Sequence, residues 1–425
     1  MNAPQKGTLL RSTDGAMPLA GRARDARSSA IREILKVTQR PEVISFAGGL
    51  PAPECFPVDE MRKVAARVLT ERGRVALQYS TTEGDPALRR AIAARMRDKL
   101  AAEVPPEEVL ITSGSQQGLD LTGKVFLDEG DAVLCESPTY LGAINALQVY
   151  RPRFVEVPTD DDGIVPEELD KRLAAEPRAK LAYVIPDFQN PTGRTWSLAR
   201  RHAFMEIVTR RQLPVVEDNP YGELRFEGTP LPALKAIDPD GLVVFLGTFS
   251  KIFCPGLRIG WLAARRRLIE KYVVVKQGAD LHTSTLSQMQ IAAYVEEYDL
   301  DDNVARIREV YRQRRDAMIR AIEAEFPPGV RFTRPHGGLF LWVELPAALN
   351  AREVLARCVE QDVAFVPGGS FFPNGGHENT FRLNFSNMPE PRIAEGIARL
   401  GRVLRELVEL PGAPPERRAA AAFAG

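Results

Sequence analysis

The chain has 425 residues, of which 44% are hydrophobic and 26% are charged, and its formal net charge at pH 7 is zero. This length fits one large domain with a smaller one, and the composition is that of a globular protein. The balanced charge gives no support to binding of nucleic acid or of an anionic membrane. The four cysteines are far apart and the four histidines lack metal-ligand spacing, so we expect reduced thiols and no metal site.

The two ends of the chain are predicted to lie outside the folded part. Residues 1–27 form a polar, basic arm without the apolar stretch of a signal peptide, and residues 411–425 form a Pro/Ala-rich tail expected to be disordered. A short helix at residues 31–35 begins after a serine cap. With no apolar run long enough to cross a bilayer, a cytoplasmic enzyme is expected.

The first candidate ligand contacts come early in the chain. An extended run ends in Gly48-Gly49-Leu50-Pro51, and paired glycines let the backbone approach a ligand closely. An ordinary turn before Pro51 is the alternative. Tyr79 precedes a helix near residue 86, and nothing in its neighbourhood indicates whether it is functional.

A strand at residues 109–112 is followed by Ser113-Gly114-Ser115 and then by a helix at residues 116–127. This order places free N–H groups and a positive dipole end at the turn, which favours an anion. Ser115 and Gln116 add side-chain donors. A serine that only caps the helix is the alternative interpretation.

Four more strands are predicted, at residues 132–136, 153–157, 181–186 and 213–216. Polar residues follow the first, third and fourth of them. Tyr140 can stack on a planar ligand or pack in the core. Asn190, in Asn190-Pro191-Thr192-Gly193, carries a donor and an acceptor in a turn. Asp218, with Tyr221 three residues beyond, ends an apolar strand, where a carboxylate is costly unless it is paired, so a functional role is favoured.

A strand at residues 242–246 leads into Gly247-Thr248-Phe249-Ser250-Lys251, with Arg258 seven residues later. A lysine in a dry site can lose its proton and form a Schiff base with a carbonyl. Hydroxyl and guanidinium groups beside it suit a phosphate. A Schiff-base lysine next to a phosphate site is what pyridoxal phosphate requires. A lysine that merely reaches solvent is the alternative.

The alternation of strands and helices between residues 109 and 264 predicts an α/β fold with a mainly parallel sheet sandwiched by helices. Five candidate residues follow the C-terminal ends of strands: Ser115, Tyr140, Asn190, Asp218 and Lys251. Ligands bind at that edge of open α/β sheets, so this convergence is stronger than any single motif.

The remaining chain predicts a smaller α+β domain. Asn303 is expected to cap a long helix whose apolar stripe includes Ile307, Tyr311, Met318 and Ile322. Strands are predicted at residues 338–343, 363–367 and 381–385, the last of them half-buried, with a helix at residues 351–361. Arg382 lies among aromatic residues and needs either an internal partner or an anionic substrate. The predicted domains are residues 61–302 for the large one and 303–410, joined by 28–60, for the small one.

The motifs at Asn190, Asp218, Lys251 and Arg382, in this order, resemble those of fold-type I pyridoxal-phosphate aminotransferases of class I/II over about residues 28–410. Segments 44–51, 114–117, 276–282 and 365–368 are similar to the 2-aminoadipate and kynurenine aminotransferase branch. In that branch an N-terminal arm covers the substrate and selects its side chain, and here the arm carries Arg22, Arg24 and Arg27. Asn219 stands where relatives often have a second acid, without an expected effect on the pyridine contact.

The resemblance implies a role for each residue. Lys251 would be the Schiff-base lysine and the base for the proton shift, and Asp218 would pair with the protonated pyridine nitrogen. The other implied cofactor ligands are Tyr221 and Asn190 at the phenolic oxygen, Tyr140 on the ring, and Ser115, Gln116, Thr248 or Ser250, and Arg258 at the phosphate. Arg382 would bind the substrate α-carboxylate, with Gly49 close by. The partner's Tyr79 would reach the phosphate, which predicts a homodimer with shared sites.

The implied reaction moves the amino group of an L-amino acid to a 2-oxo acid such as 2-oxoglutarate by a ping-pong mechanism. The donor is 2-aminoadipate or an aromatic or branched aliphatic amino acid. One alternative is a lyase or decarboxylase with the same cofactor. Another is a cofactor-sensing regulatory module without catalysis, which the short N-terminal segment disfavours.

Overall fold

The computed structural model describes residues 19–25 and 40–409. The helices are α1 (Gly21–Asp25), α2 (Val58–Ala76), α3 (Pro86–Leu100), α4 (Ser115–Phe126), α5 (Leu141–Gln148), α6 (Pro166–Ala175), α7 (Leu198–Arg211), α8 (Arg266–Gln277), α9 (Thr285–Glu297), α10 (Leu300–Glu325), α11 (Ala351–Val359) and α12 (Glu390–Glu409). The strands are β1 (Ile44–Ser45), β2 (Val109–Thr112), β3 (Ala132–Ser137), β4 (Arg153–Asp160), β5 (Gly163–Ile164), β6 (Ala179–Val184), β7 (Val215–Asp218), β8 (Val243–Thr248), β9 (Gly260–Ala263), β10 (Arg331–Phe332), β11 (Phe340–Glu344), β12 (Val363–Ala364), β13 (Val366–Pro367) and β14 (Thr380–Asn384). The predicted helix at residues 31–35 and the predicted tail lie outside the described residues.

The larger sheet has its strands in the order β2-β9-β8-β7-β6-β3-β4-β5. Neighbours from β8 to β4 pair in parallel, whereas β9 runs antiparallel to both β2 and β8. Every residue of β2, β7, β8 and β9 is buried, as expected for apolar strands covered on both faces. The predicted α/β fold with a mainly parallel sheet is confirmed.

This topology brings the C-terminal ends of β2, β3, β6, β7 and β8 to one edge of the larger sheet, since β2 and β8 both oppose β9. The polar residues that follow these strands in the sequence therefore lie along the same edge. Within the described residues, no helix is long and apolar enough to cross a membrane.

A smaller antiparallel sheet has the order β10-β11-β14-β13, and β1 pairs in parallel with β12 through Ile44 and Val363. The segment near residue 44 thus joins the C-terminal part of the chain. The long helix α10 buries the predicted stripe of Ile307, Tyr311, Met318 and Ile322. The domain boundaries given above remain predictions.

Three predictions about this part of the chain are wrong: the cap of α10, the single strand at residues 363–367, and the half-burial of the strand at residues 381–385. Asp299, not Asn303, caps α10, with its Oδ1 accepting from Asp301 N at 2.7 Å. Asn303 lies one turn inside the helix, where its Nδ2 donates to Ile252 O at 3.2 Å. Residues 363–367 form two short strands in different sheets rather than one strand.

The strand predicted to be half-buried is fully buried. β14 lies between β11 and β13, and its Arg382 side chain bonds Asn190, which follows β6 of the larger sheet. Arg382, in the middle of β14, is only 2% exposed. The alternation of polar and apolar residues there reflects two different buried surroundings, not one core face and one solvent face.

Candidate functional site

Asp218 ends β7 as a buried carboxylate with one oxygen bonded and one free. The hydroxyl of Tyr183, on the adjacent strand β6, donates to Oδ2 at 2.8 Å. Oδ1 is buried without a hydrogen-bond partner among the described residues. Burial raises the pKa of Asp218 to about 7, while the Tyr183 hydrogen bond and the charge of Lys251 oppose that shift. An unpaired buried carboxylate oxygen is costly, so this atom is suited to a cationic or N–H partner.

Arg382 connects three separate segments at one point. Its Nη1 donates to Asn190 Oδ1 at 2.8 Å and its Nη2 to Ala47 O at 2.6 Å. The guanidinium lies 4.1 Å from the centre of the Phe340 ring. Burial lowers the pKa of Arg382 to about 10, so it stays charged at neutral pH. Within the part of the chain that the structure describes, no carboxylate forms an ion pair with it.

Asn190 continues this network toward Tyr221. Its Nδ2 lies 3.3 Å from the hydroxyl of Tyr221, and both side chains are buried. Burial raises the pKa of Tyr221, so the hydroxyl remains protonated and can donate. Asn190 therefore offers its amide to two neighbours, Arg382 on one side and Tyr221 on the other.

Lys251 follows β8 by three residues and is partly buried. Its Nζ donates to Gly49 O at 2.8 Å, so the paired-glycine segment contacts the lysine directly. Burial and the charges of Arg382 and Arg258 together lower the pKa of Lys251 to about 8, while the charge of Asp218 opposes them. The neutral fraction near physiological pH is therefore far larger than for an exposed lysine, and the neutral amine can act as a nucleophile and a base.

A second group of polar atoms surrounds the turn between β2 and α4. Thr248 Oγ1 donates to Ser250 Oγ at 2.9 Å, and Arg258 Nη1 lies 3.4 Å from the same Ser250 oxygen. Gly114, at φ 75°, leaves room for Arg258, because a Cβ there would lie 2.5 Å from Arg258 Nη2. Ser115 is the first residue of α4, so the N–H groups of that helix start beside these side chains. This arrangement of donors suits an anion.

Tyr140 and Gln116 lie between the two groups. The pKa of Tyr140 is raised by burial and by the charge of Asp218, with Arg382 and Arg258 opposing, so the ring is within electrostatic reach of all three. Gln116 is exposed, and its Nε2 donates to Gly142 O at 3.1 Å. A Cβ at Gly142 would lie 2.3 Å from the Tyr140 ring, so glycine is required for this ring position.

Tyr79 is the candidate that the single chain does not bring into the site. It is 79% exposed, and its ring contacts His282 edge-on at 5.8 Å. Tyr183 is the opposite case, a site residue that the sequence interpretation missed. A tyrosine inside an apolar strand needs a hydrogen-bond partner when buried, and that need was the available signal. Among the described residues no cluster of His, Cys, Asp or Glu could hold a metal ion.

Comparison with known proteins identifies the family. The model of "Aminotransferase class I and II" matches residues 42–400. The chain is 48% identical over 387 residues to the 2-aminoadipate transaminase of Thermus thermophilus, covering 90% of this chain and 96% of the relative. It is 44% identical over 384 residues to aromatic-amino-acid aminotransferase 1 of Thermococcus litoralis, covering 89% and 92%.

A solved structure agrees with these relatives. The alpha-aminoadipate aminotransferase of Thermus thermophilus, in complex with N-(5'-phosphopyridoxyl)-L-leucine, superposes with a TM-score of 0.86 at 46% identity, covering 92% of this chain and 98% of the other. The edge of the larger sheet that carries Lys251 and Asp218 is thus part of a fold that holds this cofactor in a similar protein. The chain belongs to the class I and II aminotransferases and is a pyridoxal-phosphate-dependent transaminase.

Proposed function

We propose that the two groups of polar residues hold pyridoxal phosphate from opposite ends. The free Oδ1 of Asp218 fits the protonated pyridine nitrogen, which would satisfy its unpaired lone pairs. Asn190 Nδ2 and Tyr221 OH, 3.3 Å apart, can both reach one ring oxygen. Tyr140 would lie on the ring face.

The phosphate is assigned to the donors at the start of α4. Ser115, Gln116, Thr248, Ser250 and Arg258 would supply them, and the room that Gly114 leaves for the Arg258 guanidinium supports this assignment. Phosphate at a helix N-terminus is also stabilised by the helix dipole.

The observation that carries the substrate assignment is the buried, charged Arg382 without a carboxylate partner in the described chain. A buried arginine bonded only to an amide and a carbonyl oxygen retains donors for a bidentate carboxylate, and its Nε has no partner. We assign it to the substrate α-carboxylate, with Asn190 and Gly49 beside it. This places the substrate between Arg382 and Lys251.

Bound pyridoxal phosphate supplies an electron sink that acidifies the Cα–H of an amino acid. Lys251 Nζ would be the base that takes the proton from the substrate Cα, since its lowered pKa leaves it partly neutral. Asp218 would keep a proton on the pyridine nitrogen, and Arg382 would orient the substrate by its carboxylate.

For the reaction we propose ping-pong transfer from 2-aminoadipate or an aromatic amino acid to 2-oxoglutarate, with the names of the similar enzymes as support. A homodimer is supported by exposed apolar side chains near the exposed Tyr79, among them Leu77 and Leu281. In that dimer the partner's Tyr79 would complete the phosphate site. A cytoplasmic location remains a prediction from the sequence.

A panel of amino donors with 2-oxoglutarate tests this proposal. We expect glutamate and the matching 2-oxo acid as products in equal amounts, fastest with 2-aminoadipate or aromatic donors, and no turnover by the Lys251→Ala variant. Release of ammonia or CO₂ without glutamate would instead support a lyase or decarboxylase. Glutamate formation by Lys251→Ala at the wild-type rate would refute the role of Lys251.

A further inference from the structure

The segment Lys276–His282 resembles the 2-aminoadipate and kynurenine branch, yet none of the roles proposed above uses it. It contains the end of α8 and the loop that leads to α9. Lys276 has no exposed side-chain surface, and its Nζ donates to Asp280 Oδ1 at 2.6 Å. A fully buried lysine in this position requires an explanation, because desolvating an ammonium is costly.

The second oxygen of Asp280 is bonded to the turn between β2 and α4. Oδ2 accepts from Gln117 Nε2 at 2.7 Å and from Ser113 Oγ at 3.3 Å. The carboxylate therefore uses one oxygen for the lysine and the other for the turn. Lys276 fixes the orientation of the carboxylate, so the bond to Ser113 in the turn and the bond to Gln117 in the first turn of α4 both depend on it.

Gln117 extends this connection to the backbone. Its Oε1 accepts from the amide N of Ser113 at 2.8 Å, so a single side chain bonds both the carboxylate and the start of the turn. The carbonyl of Ser113 in turn lies 3.5 Å from Arg258 Nη2. A continuous series of contacts runs from the buried Lys276 through Asp280 and Gln117 to the turn and to Arg258.

A buried ion pair contributes little net stability compared with apolar side chains of the same size, but it can fix geometry. The turn needs fixed geometry, because donors are effective only when they already point at the anion.

We propose that Lys276 and Asp280 are positioning residues that hold the turn at residues 113–115 in the conformation that binds the cofactor's phosphate. The proposal rests on the assignment of the phosphate to that turn and to Arg258. It predicts a defect specific to the phosphate and not to the rest of the cofactor.

The test compares binding of pyridoxal phosphate and of pyridoxal, which lacks the phosphate, by the full-length chain freed of cofactor. For Lys276→Met we expect at least about tenfold weaker binding of pyridoxal phosphate, the effect of losing a hydrogen bond to a charged group, with pyridoxal binding nearly unchanged. Gln117→Leu leaves the ion pair intact and should show the same selective loss of pyridoxal phosphate binding. If Lys276→Met does not fold, the result for Gln117→Leu decides whether the connection to the turn supports phosphate binding.

Lys235→Met is the matched control, because Lys235 is also a buried lysine, 3.8 Å from Asp238, and bonds Val243 O rather than the turn. We expect it to leave both affinities unchanged. Equal weakening of the two ligands by Lys276→Met and Gln117→Leu, or no change in either, would overturn the proposal. Arg258→Met distinguishes failure of the phosphate assignment from failure of the positioning role. If Arg258→Met also shows no selective loss of pyridoxal phosphate binding, the phosphate site itself is wrong. If only Arg258→Met shows that selective loss, the positioning role alone fails.

Discussion

Lys251 shows how burial sets chemistry at a single residue. Its pKa of about 8, lowered by burial and by two nearby guanidinium groups, means that the amine is protonated below that pH and neutral above it. Only the neutral amine can attack the cofactor aldehyde. The site thus supplies a nucleophilic lysine at a pH where an exposed lysine is almost entirely charged.

The rate at which Lys251 captures pyridoxal phosphate in the cofactor-free chain should therefore rise with pH and level off with a midpoint near pH 8, as the lowered pKa requires. Rapid-mixing absorbance measures this rate. A free lysine peptide, measured over the same pH range, corrects for titration of the cofactor itself. A midpoint near the ordinary lysine value would show that the site does not lower the pKa.

Tyr183 should act through Asp218. Replacing it with phenylalanine removes the hydrogen bond that opposes the raised pKa of Asp218, so the carboxyl becomes protonated at higher pH. We expect cofactor binding to weaken about tenfold at neutral pH, since hydrogen bonds to charged groups contribute roughly 1.5–3 kcal/mol. We also expect the pH below which binding is lost to move upward.

Tyr272→Phe provides the control, because Tyr272 is also fully buried and its hydroxyl bonds Thr122 Oγ1 at 2.9 Å, away from the site. Cofactor titrations at several pH values distinguish the two variants. An unchanged pH dependence in Tyr183→Phe would mean that its hydroxyl serves packing only.

Individual residues differed in how visible they were in the sequence. Asp218 and Lys251 could be predicted because charged side chains at the ends of apolar strands conflict with their surroundings. Tyr183 could not be paired with Asp218, because that contact depends on the register of β6 against β7, which brings Val184 opposite Glu217. Strand register is a property of the folded sheet and not of either segment alone.

Among the elements, the turn before α4 is constrained at Gly114 both by its backbone conformation and by a neighbouring side chain. At Gly114, φ is 75°, a conformation that side chains with a Cβ rarely adopt, and Arg258 Nη2 occupies the space that a Cβ would need. Glycine at this position therefore permits both the backbone conformation of the turn and the position of the Arg258 guanidinium.

Gly114→Ala should displace the Arg258 guanidinium and weaken binding of pyridoxal phosphate, while a smaller effect is expected for pyridoxal. Gly256→Ala, close to Arg258 in the chain, has open space around the added methyl group and should change neither. Titration of the full-length chain with both ligands gives the comparison. Equal affinities for Gly114→Ala and wild type would contradict the proposed position of the phosphate.

Most elements followed from the sequence, and the exceptions have physical causes. The strands of the larger sheet were predictable because they are continuous apolar runs. The start of α10 was misplaced because Asp299 and Asn303, four residues apart, can both accept a hydrogen bond from a helix N-terminus. The burial of β14 was underestimated because its second face is covered by residues distant in the chain, including Asn190.

At the scale of the whole molecule, the proposed second subunit would account for the exposed position of Tyr79. Leu77 and Tyr79 are 72% and 79% exposed, and contiguous exposed apolar side chains of this kind favour association. A two-fold dimer would present each Tyr79 to the neighbouring site. The sequence could suggest this only through the family resemblance.

Co-expression of Tyr79→Ala and Lys251→Ala chains tests the shared site. Each hybrid dimer would have one site with both changes and one site with neither, so activity should recover to about a quarter of wild type with random pairing. Each variant alone serves as the baseline. Activity that equals the average of the two separate variants would mean that each chain works on its own.

The contacts of Arg382 have a consequence for the order in which the parts of the site can form during synthesis of the chain. Its guanidinium contacts Asn190, 192 residues earlier in the chain, and Ala47, 335 residues earlier. The proposed cofactor ligands all lie before residue 260, so they leave the ribosome well before β14 is synthesised. A nascent or truncated chain that lacks β14 would therefore contain every proposed cofactor ligand that it contributes but would lack Arg382. The proposed contact with the substrate carboxylate would be the last part of the site to form.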